Sequence, residues 1–238
     1  MRVRGERTCR DCGANWSYFE TGSVACPECG SVRSTGRGDR ERHTDRENEL
    51  DLTATKAAAA DGDLDTALDT AADVALEYVR HRGFIDAGDL RDLDEEYLFA
   101  QELRHASTIA ASRLDLADDE RAYLLQLFEA APPARPPAEA VPDGLRAVRG
   151  LAAATAVRDY LDELRTWLAD EREGVSDEVP TASLDDHVTR IRALDGEIPP
   201  EAAEELITAA RAIGRYSRAR DDDALESATS AVESLGEF

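Results

Sequence analysis

The chain has 238 residues, of which 42 % are hydrophobic, and it carries a formal net charge of −23 at pH 7. The hydrophobic fraction is enough for a sizeable core and argues against a disordered acidic chain. The charge disfavours nucleic acid as a partner, because most of the surface would repel a polyanion. An acid excess with Lys56 as the one lysine is typical of proteins adapted to concentrated salt, where a Debye length of about 3 Å at about 1 M screens self-repulsion. We therefore expect a halophilic protein.

The N-terminal sequence MRVRGERTC lacks the apolar region of a secretory signal. No apolar run approaches the ~20 residues that a membrane span requires. We therefore expect a cytoplasmic protein without a membrane partner. A reducing cytosol favours metal ligation over disulfides for its cysteines.

Strand-forming patterns are confined to about the first forty residues. The segments 2–9 and 14–19 alternate between apolar and polar residues, and Thr21 and Gly22 form a turn pair. These patterns predict a small β-rich module at the N-terminus.

All four cysteines lie in the stretch CRDCGANWSYFETGSVACPECGS, as the pairs Cys9/Cys12 and Cys26/Cys29. A glycine follows each pair and removes the Cβ where the backbone folds under a metal. Two such turns can bring four thiolates to tetrahedral geometry around one ion, with Zn–S near ~2.3 Å. A module of about forty residues buries too little apolar surface to fold alone, so the metal would supply folding free energy. The spacing thus predicts a structural metal site.

This stretch resembles the zinc-ribbon family, in particular ribbons of the transcription-factor-B type. The resemblance depends on CRDCG, CPECG and the hairpin ANWSYFETGSV, about 35 of 238 residues. It implies three strands, two knuckles and a structural Zn²⁺ whose ligands are Cys9, Cys12, Cys26 and Cys29. The whole chain also looks like a haloarchaeal zinc-ribbon family with an acidic helical body and no known activity. Such ribbons bind DNA, RNA or protein, or brace a domain, so the resemblance says little about function.

The two cysteine turns also resemble rubredoxin-type iron sites, which would relate a helical body to rubrerythrin-like proteins. A ferritin-like di-iron bundle requires two Glu-x-x-His motifs and two further glutamates. Glu102 and His105 form the one such motif in the chain. Zinc is therefore favoured over iron, and we interpret Glu102 and His105 as residues of a solvated helix face.

From Leu50 onward, apolar residues recur at spacings of three and four, which indicates amphipathic helices. We predict helices at 64–82, 89–114, 117–130, 144–173, 183–196, 199–218 and 221–235. Gly83 is predicted to end the first of these helices, and Gly174 to cap the long helix at 144–173. The predicted fold is mainly α: a small N-terminal three-stranded zinc ribbon followed by an antiparallel all-α helical bundle.

Charge divides the chain near residues 31–48. Residues 1–46 carry nine arginines and seven acidic residues, a formal +2, and residues 47–238 carry the remaining 19 basic and 44 acidic residues, a formal −25. We predict a zinc ribbon at 1–36, a solvated linker at 37–48 and an all-α domain at 49–238. The proline-rich segment 132–142 leaves open whether the helical domain is subdivided.

Several basic and aromatic residues cluster on the predicted ribbon: Arg2, Arg4, Arg7, Arg10, Trp16 and Tyr18. They could form a phosphate-binding and base-stacking surface. Alternatively, Trp16 or Tyr18 packs under the metal as a small core while the arginines stay solvated. We favour the second interpretation, since four thiolates and one Zn²⁺ together contribute −2 and cancel the formal +2 of this region.

No catalytic motif is recognisable, and the four histidines are scattered among charged residues, where solvated imidazoles are usual. We therefore expect a non-catalytic zinc-binding protein that acts through macromolecular, chiefly protein–protein, interaction. The alternatives are a nucleic-acid-binding or transcription-associated ribbon protein, in which Arg2, Arg4, Trp16 and Tyr18 would contact the nucleic acid, and a rubredoxin-like iron protein with a redox role.

Overall fold

The computed structural model describes residues 2–46, 48–171 and 178–236. Its strands are β1 (Arg2–Val3), β2 (Glu6–Cys9), β3 (Asn15–Ser17), β4 (Ser34–Arg37), β5 (Glu41–Arg42), β6 (Ile85–Asp86) and β7 (Asp89–Leu90). Its helices are α1 (Tyr18–Thr21), α2 (Thr53–Ala60), α3 (Leu64–His81), α4 (Glu95–Ala111), α5 (Asp118–Glu129), α6 (Arg146–Glu171), α7 (Thr181–Ala193), α8 (Pro200–Ala219) and α9 (Asp222–Leu235). The expectation of a mainly helical chain is confirmed. None of these helices is long and apolar enough to cross a membrane.

The N-terminal module is built around a three-stranded antiparallel sheet in the order β3-β2-β4. The second half of the stretch predicted as a strand at 14–19 is instead the helical turn α1. The Ser17 hydroxyl accepts the N–H of Phe19 at the start of this turn, and Gly22, at φ 59°, ends it. Local capping therefore overrides the strand pattern at this point.

A β-hairpin occupies residues 85–90, although the sequence predicted strands only in the first forty residues and a helix from residue 89. Its strands β6 and β7 pair Ile85 with Leu90. Ala87 and Gly88 both have positive φ, 50° and 87°, as a two-residue hairpin turn requires. Helix α4 begins only after Asp94, whose carboxylate accepts the N–H of Tyr97.

Helix α6 lies at the centre of the helical body and packs against α4, α7 and α8. One apolar core extends from Leu50 to Leu235 and includes residues on both sides of the proline-rich segment. Cys9, Trp16 and Cys26 form a separate small cluster in the N-terminal module. Gly174, the predicted cap of the long helix, lies outside the described residues. The division of the chain into domains stays a prediction.

Residues 41–46, inside the segment predicted as a solvated linker, pack against the helical body. Strand β5 pairs with β1, and Thr44 donates its backbone N–H to the Ile85 carbonyl at 2.8 Å. The Thr44 hydroxyl also donates to Glu163 on α6 at 2.6 Å. A Cβ on Gly83 would lie 2.5 Å from the carbonyl carbon of Thr44, so this glycine permits the close approach. The segment is therefore partly buried, and Asp45 is only 5 % exposed.

Candidate metal centre

The two cysteine pairs lie in turns with the same backbone hydrogen bonds. In the first turn the Cys9 N–H donates to the Ala14 carbonyl at 2.8 Å, and the Gly13 N–H donates to the Cys9 carbonyl at 3.2 Å. In the second turn Cys26 and Ser31 are joined at 2.9 Å, and Gly30 and Cys26 at 2.8 Å. The repeated C-x-x-C-G pattern therefore folds into two equivalent knuckles.

A left-handed backbone at the glycines allows each knuckle to close. Gly13 has a φ of 78° and Gly30 a φ of 71°. Residues with a side chain adopt this conformation only at a cost, whereas glycine adopts it freely. These glycines thus account for the turn geometry, as the sequence predicts.

The four sulfur atoms converge to the spacing of one metal site. Cys9 Sγ lies 3.7 Å from Cys29 Sγ, and Cys12 Sγ lies 3.5 Å from Cys26 Sγ. All four sulfurs lie within 4.8 Å of one another. A regular tetrahedron with Zn–S bonds of ~2.3 Å has edges of about 3.8 Å. The cluster could therefore hold one metal ion with little rearrangement.

Electrostatics also favour a bound cation. The backbone N–H groups of Cys12 and Asp11 lower the pKa of the Cys9 thiol to about 6. Although the backbone N–H of Ala14 acts to lower it, the neighbouring Cys29 and Cys26 thiols raise the pKa of Cys12 to about 12. Sulfurs this close cannot all ionise without a charge that offsets their repulsion, and a divalent ion supplies that charge.

The Trp16 side chain packs against the cysteine cluster. It is 7 % exposed and packs with Cys9 and Cys26, and its indole N–H donates to the Ser23 carbonyl at 3.1 Å. A second link joins the knuckles directly, since Asp11 in the first turn pairs with Arg33 beyond the second at 2.9 Å. The indole is therefore part of the small core rather than an open stacking face.

Several other residues of the predicted basic and aromatic surface make contacts within the protein. Arg2 pairs with Asp170 of α6 at 2.5 Å, and Arg4 donates to the Gly38 carbonyl at 2.8 Å. Tyr18 is partly buried and lies 6.3 Å from the His43 ring, centroid to centroid. Arg2, Arg4 and Arg10 are exposed, and Arg7 donates from its guanidinium to the Ser34 hydroxyl at 2.8 Å.

The interpretation of Glu102 and His105 as solvated residues is wrong. Glu102 is 0 % exposed, lies 2.9 Å from the Nε of Arg149 and accepts a hydrogen bond from the Tyr123 hydroxyl. His105 contacts Thr155 Oγ1 at 3.2 Å, and burial lowers its pKa to about 4. Among the described residues, the four cysteines are the one group of three or more potential ligands close enough to hold a metal ion.

Sequence reasoning also missed a buried polar cluster around His43 and Asp45. Their side chains are 6 % and 7 % exposed, whereas the sequence predicted solvated histidines and a solvated linker. Their burial depends on contacts with residues 82–91, about forty positions away. The local sequence does not predict such contacts, because residues 43–45, His-Thr-Asp, are typical of a polar loop.

Comparison with known proteins gives a family but no function. A family model described as "Family of unknown function (DUF7117)" matches residues 1–232. No curated protein and no solved structure matches the chain. A functional assignment therefore depends on the geometry of the site itself.

Proposed function

Because the chain belongs to the DUF7117 family of unknown function, we propose from the geometry of the cysteine cluster that it is a zinc-ribbon protein with a structural Zn²⁺. Four protein thiolates fill the tetrahedral coordination of zinc and leave no open position for a substrate, as in structural rather than catalytic sites. The observation that carries this proposal is the sulfur spacing, 3.5 and 3.7 Å across the two knuckles. A halophilic archaeal and cytoplasmic setting belongs to the same proposal, supported by the net charge of −23.

Elemental analysis of the purified full chain tests the metal. We expect one zinc ion per chain, lost in Cys12→Ser and retained in Val32→Ser, which changes an exposed side chain beside the second knuckle. A red protein with visible absorption and bound iron would replace the zinc assignment with the rubredoxin-like alternative. Protein that binds neither metal would refute the metal site.

We further propose that the ribbon acts without catalysis, in contact with another protein. Two valines flank the second knuckle in sequence and have exposed side chains, Val24 at 46 % and Val32 at 72 % exposure. Exposed aliphatic side chains on a rigid scaffold favour a protein partner. Nucleic-acid binding is the alternative, but the burial of Trp16 and the pairing of Arg2 with Asp170 leave it less support.

Co-purification from the native host at high salt tests the interaction role. A partner retained by the wild type and by Leu125→Ser, but lost by the Val24→Ser/Val32→Ser double variant, would support the ribbon surface. Leu125 is the matched control because it is 39 % exposed on α5 of the helical body. Retention of every partner by the double variant would contradict the proposal.

A salt-titrated binding assay with DNA and RNA tests the alternative role in nucleic-acid binding. Binding that weakens steeply with added salt, and that Arg4→Ala reduces, would favour a nucleic-acid role. We expect no retention at any salt concentration at which the protein stays folded.

A further inference from the structure

A cavity of about 320 Å³ is lined by residues of helices α6 and α7. Its volume lies at the lower end of the range of small-molecule sites, about 300–1,000 Å³. The lining consists of Arg158 and Asp162 from α6 and of Asp185, Val188, Thr189 and Arg192 from α7. Apart from the buried Val188, every one of these side chains is polar or charged, so the cavity suits a polar ligand.

The two aspartates of this lining have a basic partner, whereas its two arginines have no acidic one. Arg165 of α6 lies 3.5 Å from Asp162 and 3.3 Å from Asp185. Arg158 and Arg192 are exposed, and neither forms an ion pair with a carboxylate of the described residues. Together with Arg165 the cavity has three guanidinium groups and two carboxylates, a formal +1. It is therefore locally basic, although residues 47–238 carry a formal −25.

A further arginine, Arg104 of α4, lies on the same side of the helical body. After burial, the charges of Arg104 and Arg192 are the causes that lower the pKa of His105 to about 4. Since electrostatic effects decrease with distance, both guanidinium groups are near this one ring. Arg104 donates to the side-chain oxygen of Gln101 at 3.3 Å and forms no ion pair within the described part of the chain. Three helices thus bring Arg104, Arg158 and Arg192 into one region.

The chemistry of these side chains favours a phosphate group over other ligands. A guanidinium presents a planar fork of N–H donors that matches the oxygens of phosphate or carboxylate, and phosphate brings up to two negative charges to several such forks. The Thr189 hydroxyl is a further possible donor at the cavity. A nucleic-acid chain would extend over the acidic surroundings and be repelled. A small phosphorylated molecule avoids this repulsion.

We propose that the cavity between α6 and α7 binds the phosphate group of a small molecule. The guanidinium groups of Arg158 and Arg192 donate to the phosphate oxygens, and Arg104 adds attraction at longer range. Arg165 stays with Asp162 and Asp185, which limits the repulsion between these carboxylates and the phosphate. The proposal is independent of the metal and of the protein partner proposed above.

Isothermal titration calorimetry on the full metal-loaded chain tests the proposal with four probes. Inorganic phosphate and glycerol 3-phosphate carry the phosphate group, acetate represents a carboxylate, and glycerol is the uncharged control. The KCl concentration is the lowest at which the chain is folded, because chloride competes for guanidinium groups. We expect both phosphates to bind in about the millimolar range and acetate at least about tenfold more weakly. Failure of both phosphates, or equal binding of acetate or glycerol, would overturn the proposal.

Two arginine substitutions make the test specific. Arg192→Gln removes a guanidinium of the cavity, whereas Arg121→Gln removes an exposed guanidinium of α5 and changes the net charge by the same amount. We expect Arg192→Gln to weaken phosphate binding about tenfold and Arg121→Gln to keep the affinity of the wild type. Far-UV circular dichroism verifies that both variants are folded. Wild-type affinity in Arg192→Gln, or the same loss in both variants, would overturn the proposal.

The ring of His105 reports where the phosphate binds. Because Arg192 acts on this ring, inorganic phosphate at the cavity should shift its C–H resonances, which His105→Gln identifies in the NMR spectrum. The ring of His81 on α3 is the reference and should shift less. Phosphate binding without a shift at His105 would overturn the proposed location.

Discussion

At the scale of single residues, the interior of the helical body contains a charged pair that water does not reach. Arg149 is 1 % and Glu102 0 % exposed, and Arg149 also contacts Glu204 at 2.6 Å and the Pro136 carbonyl at 2.6 Å. Burial raises the pKa of Glu102, while the Arg149 charge acts to lower it. The pair joins α4, α6, α8 and the proline-rich segment, so its role is to hold these elements together.

Arg149→Met should lower the free energy of unfolding by about 3–5 kcal/mol, because Glu102 would remain buried without its counter-charge. Urea titration measures the change. Arg146→Met on the same helix is the control, since Arg146 is 47 % exposed and pairs with an exposed Asp143; its loss should cost about 1 kcal/mol or less. Similar decreases in the free energy of unfolding in the two variants would mean that the buried pair contributes no more to stability than the exposed pair.

His105 should make stability depend on pH. Burial and the Arg104 charge lower its pKa from 6.5 to about 4, so between these values the unfolded chain binds a proton that the folded chain does not. The contribution of His105 to the free energy of unfolding has its maximum above pH 6.5. It decreases as the pH drops toward 4, by up to about 3 kcal/mol.

Urea titrations of the wild type and of His105→Gln at pH 7.0, 5.5 and 4.5 measure this contribution as a difference, so that other titrating groups cancel. The His105→Gln variant should lose less stability on acidification. His81→Gln, which alters a partly exposed histidine of α3, is the comparison variant. Parallel curves for wild type and His105→Gln would show that His105 is not buried as a neutral ring.

At the scale of elements, the N-terminal module and the helices have separate apolar cores. The module has Cys9, Trp16 and Cys26, whereas the helical core begins at Leu50. The contacts between the two parts are polar in several places, such as the ion pairs of Arg2 and Arg42 with Asp170. Loss of the metal should therefore unfold the module and leave the helices folded.

Cys26→Ser should abolish metal binding and expose Trp16, while far-UV circular dichroism at the helical minimum stays close to that of the wild type. A Trp167→Phe background isolates the fluorescence of Trp16, since the chain has two tryptophans. A red shift of the Trp16 emission with retained helicity is the expected result. A collapse of the helical signal would show that the two parts fold as one unit.

The helices were largely predictable at this scale, and the hairpin was not. Apolar spacing placed α3, α5, α8 and α9 within two residues of their observed ends. The hairpin β6–β7 was read as the start of a helix, because Leu90 and Leu93 fit a helical stripe. Both leucines are indeed buried, but a positive-φ turn at Ala87 and Gly88 places them there. The apolar spacing therefore predicted correctly that these leucines are buried, but it predicted a helix where the backbone forms a hairpin.

At the scale of the whole molecule, charge is unevenly distributed. Residues 1–46 have a formal charge of +2 and residues 47–238 a charge of −25. In dilute buffer the acidic helical body repels itself, and this repulsion favours the unfolded chain. Arginine pairs such as Arg211 with Glu95 and Arg218 with Asp92 offset only part of it.

Added salt should therefore stabilise the protein. We expect the free energy of unfolding to rise as KCl increases from about 0.1 to about 2 M, because the Debye length falls from about 10 Å to below about 3 Å. Thermal unfolding followed by circular dichroism measures the trend. The Asp222→Asn/Asp223→Asn variant, which removes two exposed charges from α9, should be less sensitive to salt. A melting temperature that falls with added KCl would contradict the halophilic interpretation.

The sequence alone determined the features that depend on local spacing. Two C-x-x-C-G turns specify where four sulfurs and two positive-φ glycines lie, and apolar residues at three and four specify most of the helices. Only the tertiary structure decided which polar residues are buried, because burial depends on distant partners: Glu102 on Arg149, and Asp45 on Arg82 and Arg91. A cavity between two parts of a chain likewise exists only after they have packed together.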